Sequence, residues 1–314
     1  MSDPRPGDFA GVHTALVTPF TADASAVDLQ ALEAQVLFQA SGGVAGVVPC
    51  GTTGETPTLT AEERRAVIGC VAATAGPLGL SVVVGAGSNS TVSAIEFSAE
   101  AADLGAMATL QVTPYYNRPS QEGLFRHFSA LADSARVPIV LYDVPGRAGV
   151  GLAVDTVVRL ANHERIVAIK VANGSVGYVS ELIQRCDLAI LSGDDPLTLP
   201  MQSVGAIGAV SVAGNIVPGE VVRQVAAANR GDFAAARAIH ERLFALSNGL
   251  LGLDGNPVPV KAAMALLGRD TGVVRPPLAV ASDAVRRSLL DLLGSAGVEG
   301  PAGGVAASRS AGAR

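Results

Sequence analysis

Charge is scarce in this chain, and positive charge is not in excess. Charged residues make up 16% of the 314 positions, and the formal net charge is −6 at pH 7. A protein that binds nucleic acid needs clustered lysine and arginine side chains to meet the phosphates. The composition therefore argues against a nucleic-acid partner.

Cysteine is also rare, and no pair has the spacing of a metal-binding or redox motif. The three cysteines are Cys50, Cys70 and Cys186. An odd, scattered set is typical of a reducing compartment rather than of a disulfide framework. The N-terminal residues lack the apolar region of a secretion signal. We therefore expect a cytoplasmic protein. No cluster of metal ligands is visible, so we expect no metal and no other cofactor.

The sequence has no run that suits a membrane helix, although its mean hydropathy is +0.39. The uncharged stretch 196–219 contains Gln202, Ser203 and Asn215, with several glycines and a proline near each end. This pattern indicates a short helix, a turn and a strand. We therefore expect no membrane segment.

Short apolar runs that alternate with helical segments are abundant. Eight runs have the length and β-branched content of buried strands, namely 12–17, 44–49, 80–84, 108–112, 138–142, 166–171, 188–191 and 209–212. A doubly wound sheet usually shows about five or six strands, so eight repeats predict an α/β fold of the (β/α)8 TIM barrel class.

Three intervening segments show the helical period, and we expect their apolar positions to face the sheet. These positions are Leu29, Leu32, Val36 and Ala40; Val92, Ile95, Ala99 and Ala102; and Leu124, Phe128, Leu131 and Ala135. Thr60 and Glu63 predict a capping box at the start of the second helix. We expect a lead at 1–10, the barrel at 11–229, a helical extension at 230–294 and a disordered tail at 295–314.

Lysine is the scarcest charged residue type, with Lys170 and Lys261 among 22 basic residues. Lys170 lies inside the apolar run 166–171. Desolvation there would lower the pKa of the ammonium and free the amine as a nucleophile. A lysine near a strand end can also extend its ammonium into solvent, so the strand alone leaves both interpretations open.

Polar groups collect where the predicted strands end, the face on which barrel enzymes carry their active sites. Three of the four tyrosines, Tyr115, Tyr116 and Tyr142, fall there, and Arg147 and Lys170 join them. Packing does not explain this clustering of hydroxyl and cationic groups, which is typical of a binding face. The pattern favours Schiff-base chemistry.

Six motifs at these ends and in the C-terminal helices resemble the dihydrodipicolinate synthase family, in the class I pyruvate-aldolase superfamily that includes N-acetylneuraminate lyase. They are GTTGE at 51–55, VTPYYNRP at 112–119, LYDVPGR at 141–147, IK at 169–170, LSGDD at 191–195 and NPVPVK at 256–261. The resemblance extends from about Gly11 to Leu293. Arg147 is typical of the synthases, whereas sialic-acid lyases typically lack it.

The resemblance implies condensation of pyruvate with aspartate 4-semialdehyde in lysine and diaminopimelate biosynthesis. Lys170 would form an imine with the pyruvate ketone, which makes its methyl group acidic. Tyr142 would donate and accept protons beside the lysine. Thr52 would relay protons between Tyr142 and Tyr116.

The resemblance also implies the binding residues and the assembly. Thr53 would hold the pyruvate carboxylate, and Arg147 the carboxylate of the semialdehyde. Gly193 and Val210 would complete the substrate-binding set. Tyr116 would reach across a dimer interface into the neighbouring site, in a homotetramer built as a dimer of dimers.

Three positions depart from the family pattern. Val171 replaces an acidic residue, Ala148 a threonine and Asp143 a common asparagine. Because side chains alternate along a strand, Val171 should point away from Lys170 toward the helices. We expect the core chemistry to be retained.

Three alternatives stay open. One is a related pyruvate aldolase or dehydratase that acts on a 2-oxo sugar acid or on 4-hydroxy-2-oxoglutarate, against which Arg147 argues. The second is a silent pyruvate-binding protein, against which Lys170, Tyr142 and Thr52 argue. A pyridoxal-phosphate barrel enzyme would need a phosphate-binding glycine run, which we do not find.

Lysine-inhibited members of the family bind lysine near the tyrosine pair at a dimer interface. The matching positions here are Ala61, Arg64, Asn89, Ser93 and Tyr115. None of these side chains is a carboxylate that could pair with the ammonium of lysine. We therefore expect an enzyme that millimolar lysine does not inhibit.

Overall fold

The structure, a computed structural model, describes residues 5–298 and contains a closed barrel of eight parallel strands. The strands pair in chain order, and β8 closes the barrel against β1. They are β1 Gly11–Ala15, β2 Gly46–Val48, β3 Ser81–Gly85, β4 Ala108–Val112, β5 Ile139–Asp143, β6 Ile166–Val171, β7 Ala189–Ser192 and β8 Gly208–Ser211. The predicted (β/α)8 barrel is confirmed, and every predicted strand end lies within two residues of an observed one.

Helices follow each strand, and further helices follow the last one. They are α1 Leu29–Ser41, α2 Ala61–Ala75, α3 Thr91–Asp103, α4 Gln121–Ser134, α5 Pro145–Ala148, α6 Val154–Leu160, α7 Val176–Arg185, α8 Thr198–Gln202, α9 Pro218–Asn229, α10 Phe233–Gly252, α11 Val258–Leu266 and α12 Asp283–Ser295. Of the predicted tail, Ser295 ends α12, and 299–314 lie outside the described residues, as do 1–4 of the predicted lead. None of the helices within 5–298 is long and apolar enough to cross a membrane.

Alternating side chains divide the core into a barrel interior and a shell between strands and helices. On β6, Ile169 and Val171 belong to the shell, in one cluster with Val179 and Leu182 of α7. Val171 therefore points outward, as predicted, and Lys170 between them points into the barrel. The interior cluster includes Val83, Leu110, Val140, Tyr142, Leu191 and Val210.

The predicted inner face of α3 is only partly right: Ile95 packs against the core as predicted, but the buried face is centred on other residues. The structure buries Ala94, Ser98 and Ala101, whereas the side chain of Val92 is 65% exposed. The helix is rich in small residues, so two overlapping registers satisfy the same period. Small side chains let the helix approach the sheet closely. The sequence pattern favoured the larger apolar residues instead.

The capping box that was predicted for α2 is confirmed. The Thr60 hydroxyl accepts a hydrogen bond from the Glu63 N–H at 3.1 Å, and the Glu63 carboxylate accepts one from the Thr60 N–H at 3.0 Å. The two contacts satisfy backbone donors that have no partner inside the helix. This helix therefore begins at a defined residue directly after the loop that follows β2.

Two buried histidines make the stability of the fold depend on pH. Burial lowers the pKa of His13 and of His127 from 6.5 to about 4. Below pH 6.5 the unfolded chain binds protons at both imidazoles and the folded chain does not, so stability is lost as the pH falls through this window. Each histidine should contribute about 1.4 kcal/mol per pH unit.

We expect His127→Asn to remove one of these two contributions. Asparagine can keep the hydrogen bond that His127 Nδ1 makes with the Thr91 hydroxyl at 2.9 Å. Urea unfolding between pH 6.5 and about 4 measures the slope of the free energy of unfolding with pH. The slope of the variant should be smaller by about one proton. Equal slopes in the two proteins would contradict the assignment.

Candidate active site

The carboxyl ends of the strands open into a cavity of about 610 Å³. Its wall comes from the loops after β2 to β5 and from the residues that precede α11. Among the residues that line it are Thr52, Tyr115, Tyr142, Arg147 and Asn256. The loops after β2, β4 and β5 therefore share one cavity at the carboxyl ends of the strands, whereas Thr53, Lys170, Gly193 and Val210 are not part of its lining.

Lys170 and Tyr142 are direct neighbours on adjacent strands. They are paired in the register of β5 and β6, and Lys170 Nζ lies 4.1 Å from the centroid of the Tyr142 ring. Both side chains are buried, with 6% and 7% of their surface exposed. Tyr142 lines the cavity, whereas Lys170 lies beside it and is not part of the lining. The structure thus brings the proposed nucleophile next to a phenol at the cavity wall.

Gly193 makes room for the lysine side chain. Its N–H donates to the carbonyl of Val171 at 2.7 Å, which holds the end of β7 against β6. A Cβ atom at this position would lie 2.7 Å from Cε and 2.9 Å from Cγ of Lys170. Any larger residue would therefore displace the lysine. The missing side chain of Gly193 therefore leaves the space that the Lys170 side chain occupies.

A carboxylate from the loop after β7 holds the end of β8. Asp195 accepts hydrogen bonds from the Ser211 hydroxyl and from the N–H groups of Val212 and Ala213 at 2.8 and 3.0 Å. Burial raises the pKa of Asp195, and the nearby charge of Lys170 opposes the rise. These bonds fix the strand that carries Val210, a buried residue of the barrel interior.

The loop after β2 presents one threonine to the cavity and buries the next. Thr52 lines the cavity, and Thr53 is only 3% exposed. The Thr53 hydroxyl accepts a hydrogen bond from Asn256 Nδ2 at 3.0 Å, so its own proton remains available to another acceptor. The Thr18 hydroxyl donates to the carbonyl of Gly54 at 2.7 Å and so ties this loop to the segment that follows β1.

Arg147 provides a cation without a carboxylate partner in the described part of the chain. Its side chain is exposed at the cavity, and Nη2 donates to the carbonyl of Asn256 at 3.2 Å. Within residues 5–298 it forms no ion pair. The guanidinium can therefore bind a carboxylate by donating two parallel hydrogen bonds to it.

The three hydroxyls of the expected proton relay are not joined within one chain. Thr52 and Tyr142 line the same cavity, but Tyr116 is 91% exposed and lies outside the lining. No hydrogen bond between these hydroxyls occurs in the part of the chain that the structure describes. Tyr116 also has a φ of 73°, which is uncommon for a residue with a side chain. The relay stays a prediction.

Two of the departures from the family pattern have clear surroundings. Ala148 is buried and lines the cavity. Asp143 is buried on the other side of β5 and accepts hydrogen bonds from the Leu152 N–H at 2.9 Å and from Asn173 Nδ2 at 2.8 Å. Burial raises the pKa of Asp143. Of the two, only Ala148 is in a position to touch a substrate.

The positions that match the lysine effector site surround an arginine that is already paired. Arg64 is buried, stacks with its Cζ 3.9 Å from the centroid of the Phe97 ring, and pairs with Glu100. Glu100 also binds Arg65, at 2.6 Å. Ala61, Arg64 and Tyr115 line the cavity. The Glu100 carboxylate that pairs with Arg64 is therefore shared by two arginines.

Sequence reasoning assigned no role to Asn256, Glu55 and Lys261. Asn256 contacts both Thr53 and Arg147, and Lys261 pairs with Glu55 at 2.8 Å. All three lie in motifs that carried the family resemblance, and Lys261 is the second of the two lysines. This scarcity was the signal that could have identified it.

The acidic, histidine and cysteine side chains of residues 5–298 form no group of three or more that could hold a metal ion.

Comparisons with known proteins agree with this geometry. A profile of the dihydrodipicolinate synthetase family matches residues 8–296. The 4-hydroxy-tetrahydrodipicolinate synthase of Pelobacter propionicus is 47% identical over 92% of this chain and 99% of its own length.

Two solved structures share the fold. The 4-hydroxy-tetrahydrodipicolinate synthase of Methylacidiphilum fumariolicum has a TM-score of 0.89 at 43% identity, over 92% of this chain and 96% of that one. A monomeric dihydrodipicolinate synthase variant has a TM-score of 0.90 at 34% identity, over 93% and 98% of the two chains. The chain therefore belongs to the dihydrodipicolinate synthetase family.

Proposed function

We propose that this protein is a lyase that condenses pyruvate with aspartate 4-semialdehyde through a Schiff base, to give 4-hydroxy-tetrahydrodipicolinate for lysine and diaminopimelate biosynthesis. The observation that carries the proposal is the placement of Lys170 against Tyr142, 4.1 Å from its ring centroid, at a cavity that also presents Arg147. A nucleophilic amine lies beside this cavity, and its wall carries a guanidinium that has no carboxylate partner within the described residues. A keto acid and a second carboxylate-bearing substrate match these two groups.

The first half of the reaction uses the groups near β5 and β6. The amine of Lys170 attacks the pyruvate ketone, and loss of water leaves an imine. Tyr142 moves protons in this step and then in the loss of a methyl proton that forms the enamine. Thr53 donates its free hydroxyl proton to the pyruvate carboxylate. Its bond from Asn256 Nδ2, at 3.0 Å, fixes the direction of that proton.

The second half uses Arg147. The guanidinium binds the carboxylate of the semialdehyde and brings its aldehyde to the enamine carbon, where the new carbon–carbon bond forms. The carbonyl of Asn256 holds Nη2 at 3.2 Å and limits the rotation of the side chain. Ala148, beside Arg147 in the wall, leaves more room than the threonine of the family pattern.

We also propose that the protein works in the cytoplasm as a homo-oligomer, in the family's expected form a dimer of dimers. Tyr116, Val92 and Tyr115 are 91%, 65% and 39% exposed, and a hydrogen bond from Asn117 Nδ2 to the carbonyl of Asn89 at 2.9 Å joins the two segments that carry them. Exposed apolar and aromatic side chains in one region are typical of an interface. A second copy would cover them and bring Tyr116 to the neighbouring relay.

A coupled assay with pyruvate and aspartate 4-semialdehyde tests the proposed reaction. A panel of other aldehydes, including glyoxylate and sugar aldehydes, should give much lower kcat/KM values, because they lack a carboxylate placed for Arg147. A higher kcat/KM for any of them would contradict the proposed second substrate.

Arg147→Ala should weaken the binding of the semialdehyde far more than the binding of pyruvate. Only the second substrate places a carboxylate at the guanidinium. The kcat/KM for the semialdehyde should therefore fall by an amount equivalent to about 2–5 kcal/mol of transition-state stabilisation. Steady-state kinetics with each substrate varied in turn gives the two values. Equal losses for both substrates would mean that the arginine only supports the fold of the loop after β5.

Lysine should not inhibit the enzyme at millimolar concentration. None of the five effector positions is a carboxylate, and the Glu100 carboxylate beside Arg64 already binds Arg64 and Arg65, so these positions offer the ammonium of lysine no anionic partner. Losing such a partner costs about two to three decades of affinity. Titration of lysine into the steady-state assay measures this, and half-inhibition below about 1 mM, equivalent to about 4 kcal/mol, would contradict it.

A further inference from the structure

A buried ion pair joins the helices after the barrel to the loop that carries Thr52 and Thr53. Lys261 of α11 is 0% exposed and Glu55 is 2% exposed, and Nζ lies 2.8 Å from Oε1. Burial lowers the pKa of Lys261, and the Glu55 carboxylate opposes this shift. Neither charge takes part in the proposed reaction.

The partners of the pair come from the segment that follows β1 and from the C-terminal segment that follows α11. Lys261 Nζ also donates to the carbonyl of Thr18 at 2.8 Å and lies 4.2 Å from the centroid of the Phe20 ring. The second oxygen of Glu55 accepts from the Arg275 N–H at 2.9 Å. The lysine thus holds the loop at two points, because the Thr18 hydroxyl is itself bonded to Gly54 at 2.7 Å.

The backbone at Glu55 needs such support. Its φ is 53°, in the left-handed region that residues other than glycine seldom occupy and that costs free energy. The Glu55 N–H donates to the carbonyl of Thr52 at 3.1 Å and closes the turn that contains Thr53. Release of the Glu55 side chain would let this turn relax and move Thr53.

Stability alone does not account for the pair. Burying two charges requires desolvation, and well-packed apolar residues of similar volume are often as stabilising. A buried pair does, however, fix the relative orientation of the two segments that carry it. The segments here are separated by 206 residues in sequence, and one of them carries the carboxylate-binding threonine.

We propose that Lys261 and Glu55 are positioning residues for the pyruvate carboxylate. Their contact holds the turn 51–55 so that the Thr53 hydroxyl and the adjacent N–H groups face the carboxylate. The C-terminal helices therefore control the affinity for pyruvate. This inference rests on the proposed function, in which Thr53 binds that group.

The test compares a charge-free pair with a matched control. The double variant Glu55→Gln/Lys261→Met removes both charges without leaving one buried and unpaired. The control Arg269→Gln removes contacts from the same C-terminal segment to the carbonyl of Ile216, at 3.3 and 3.2 Å, and does not touch the turn. Pyruvate KM, semialdehyde KM, kcat and the thermal midpoint are measured for each protein.

We expect the pyruvate KM of the double variant to rise by about tenfold, the scale of one hydrogen bond, with a smaller change in kcat and in the semialdehyde KM. Arg269→Gln should lower the thermal midpoint and leave the pyruvate KM unchanged. A double variant that is less stable but has the wild-type pyruvate KM would overturn the proposal, as would an equal rise in Arg269→Gln.

Glu55→Gln alone keeps an amide oxygen for Lys261 and tests the same idea if the double variant does not fold. Its pyruvate KM should rise less than that of the double variant, and an unchanged value would overturn the proposal.

Borohydride trapping of wild-type protein with pyruvate separates the positioning hypothesis from the proposed function. No adduct on Lys170 would reject the proposed function. An adduct on Lys170 together with an unchanged pyruvate KM in whichever of these variants folds would reject the positioning pair alone.

Discussion

Lys170→Ala should abolish turnover, with a loss of about 10⁴-fold or more, the scale seen when an enzyme loses its nucleophile. Without the amine no imine forms, and pyruvate has no electron sink for the removal of its methyl proton. In wild-type protein, pyruvate with borohydride should leave one N-(1-carboxyethyl) group on Lys170. The activity should disappear in step with this labelling.

The small number of lysines makes the labelling experiment easy to interpret. Lys170 and Lys261 are the only two lysines in the sequence. Lys261 is fully buried and paired with Glu55, so it serves as an internal control that should stay unlabelled in folded protein. An adduct on Lys261, or full activity in Lys170→Ala, would rule out the mechanism.

Tyr142→Phe should reduce turnover by roughly 10²–10⁴, the usual contribution of a positioned general acid–base group. The ring would remain packed against Lys170, so pyruvate should still bind and be trapped. The exchange of pyruvate methyl protons with deuterated water isolates the step in which the phenol acts. It should slow by a similar factor, because this exchange needs deprotonation of the imine and no second substrate.

Tyr178→Phe provides the matched control for this variant. Its hydroxyl donates to the carbonyl of Leu152 at 2.9 Å and lies outside the cavity lining. The substitution removes the same atom from a buried phenol without touching the site. Its turnover should stay within a small factor of wild type. If Tyr142→Phe behaves like this control, Tyr142 has no part in the proton path.

The strands and the residues at their ends could be predicted because their signals are local. A strand buried on both faces is an apolar run whatever its neighbours are, and parallel strands place their carboxyl ends together. The inward direction of Lys170 follows from strict alternation along β6, which also sends Val171 outward. Neither inference needed a partner strand to be identified.

The face of α3 could not be predicted in the same way. Its alanine-rich sequence fits two registers equally well, and the choice between Val92 and Ala94 depends on how closely the helix can approach the sheet. That distance is set by side chains from other segments. Local periodicity carries no information about it.

The sequence by itself determined the barrel, the eight strands and the chemical groups that the cavity contains. Only the tertiary structure decided how those groups are held. Asn256 meets Thr53 across 203 residues, and Lys261 meets Glu55 across 206 residues. Hydrogen bonds and ion pairs act over a few ångströms and have no periodic signal along the chain. Their partners are therefore defined only when the C-terminal helices pack against the closed barrel.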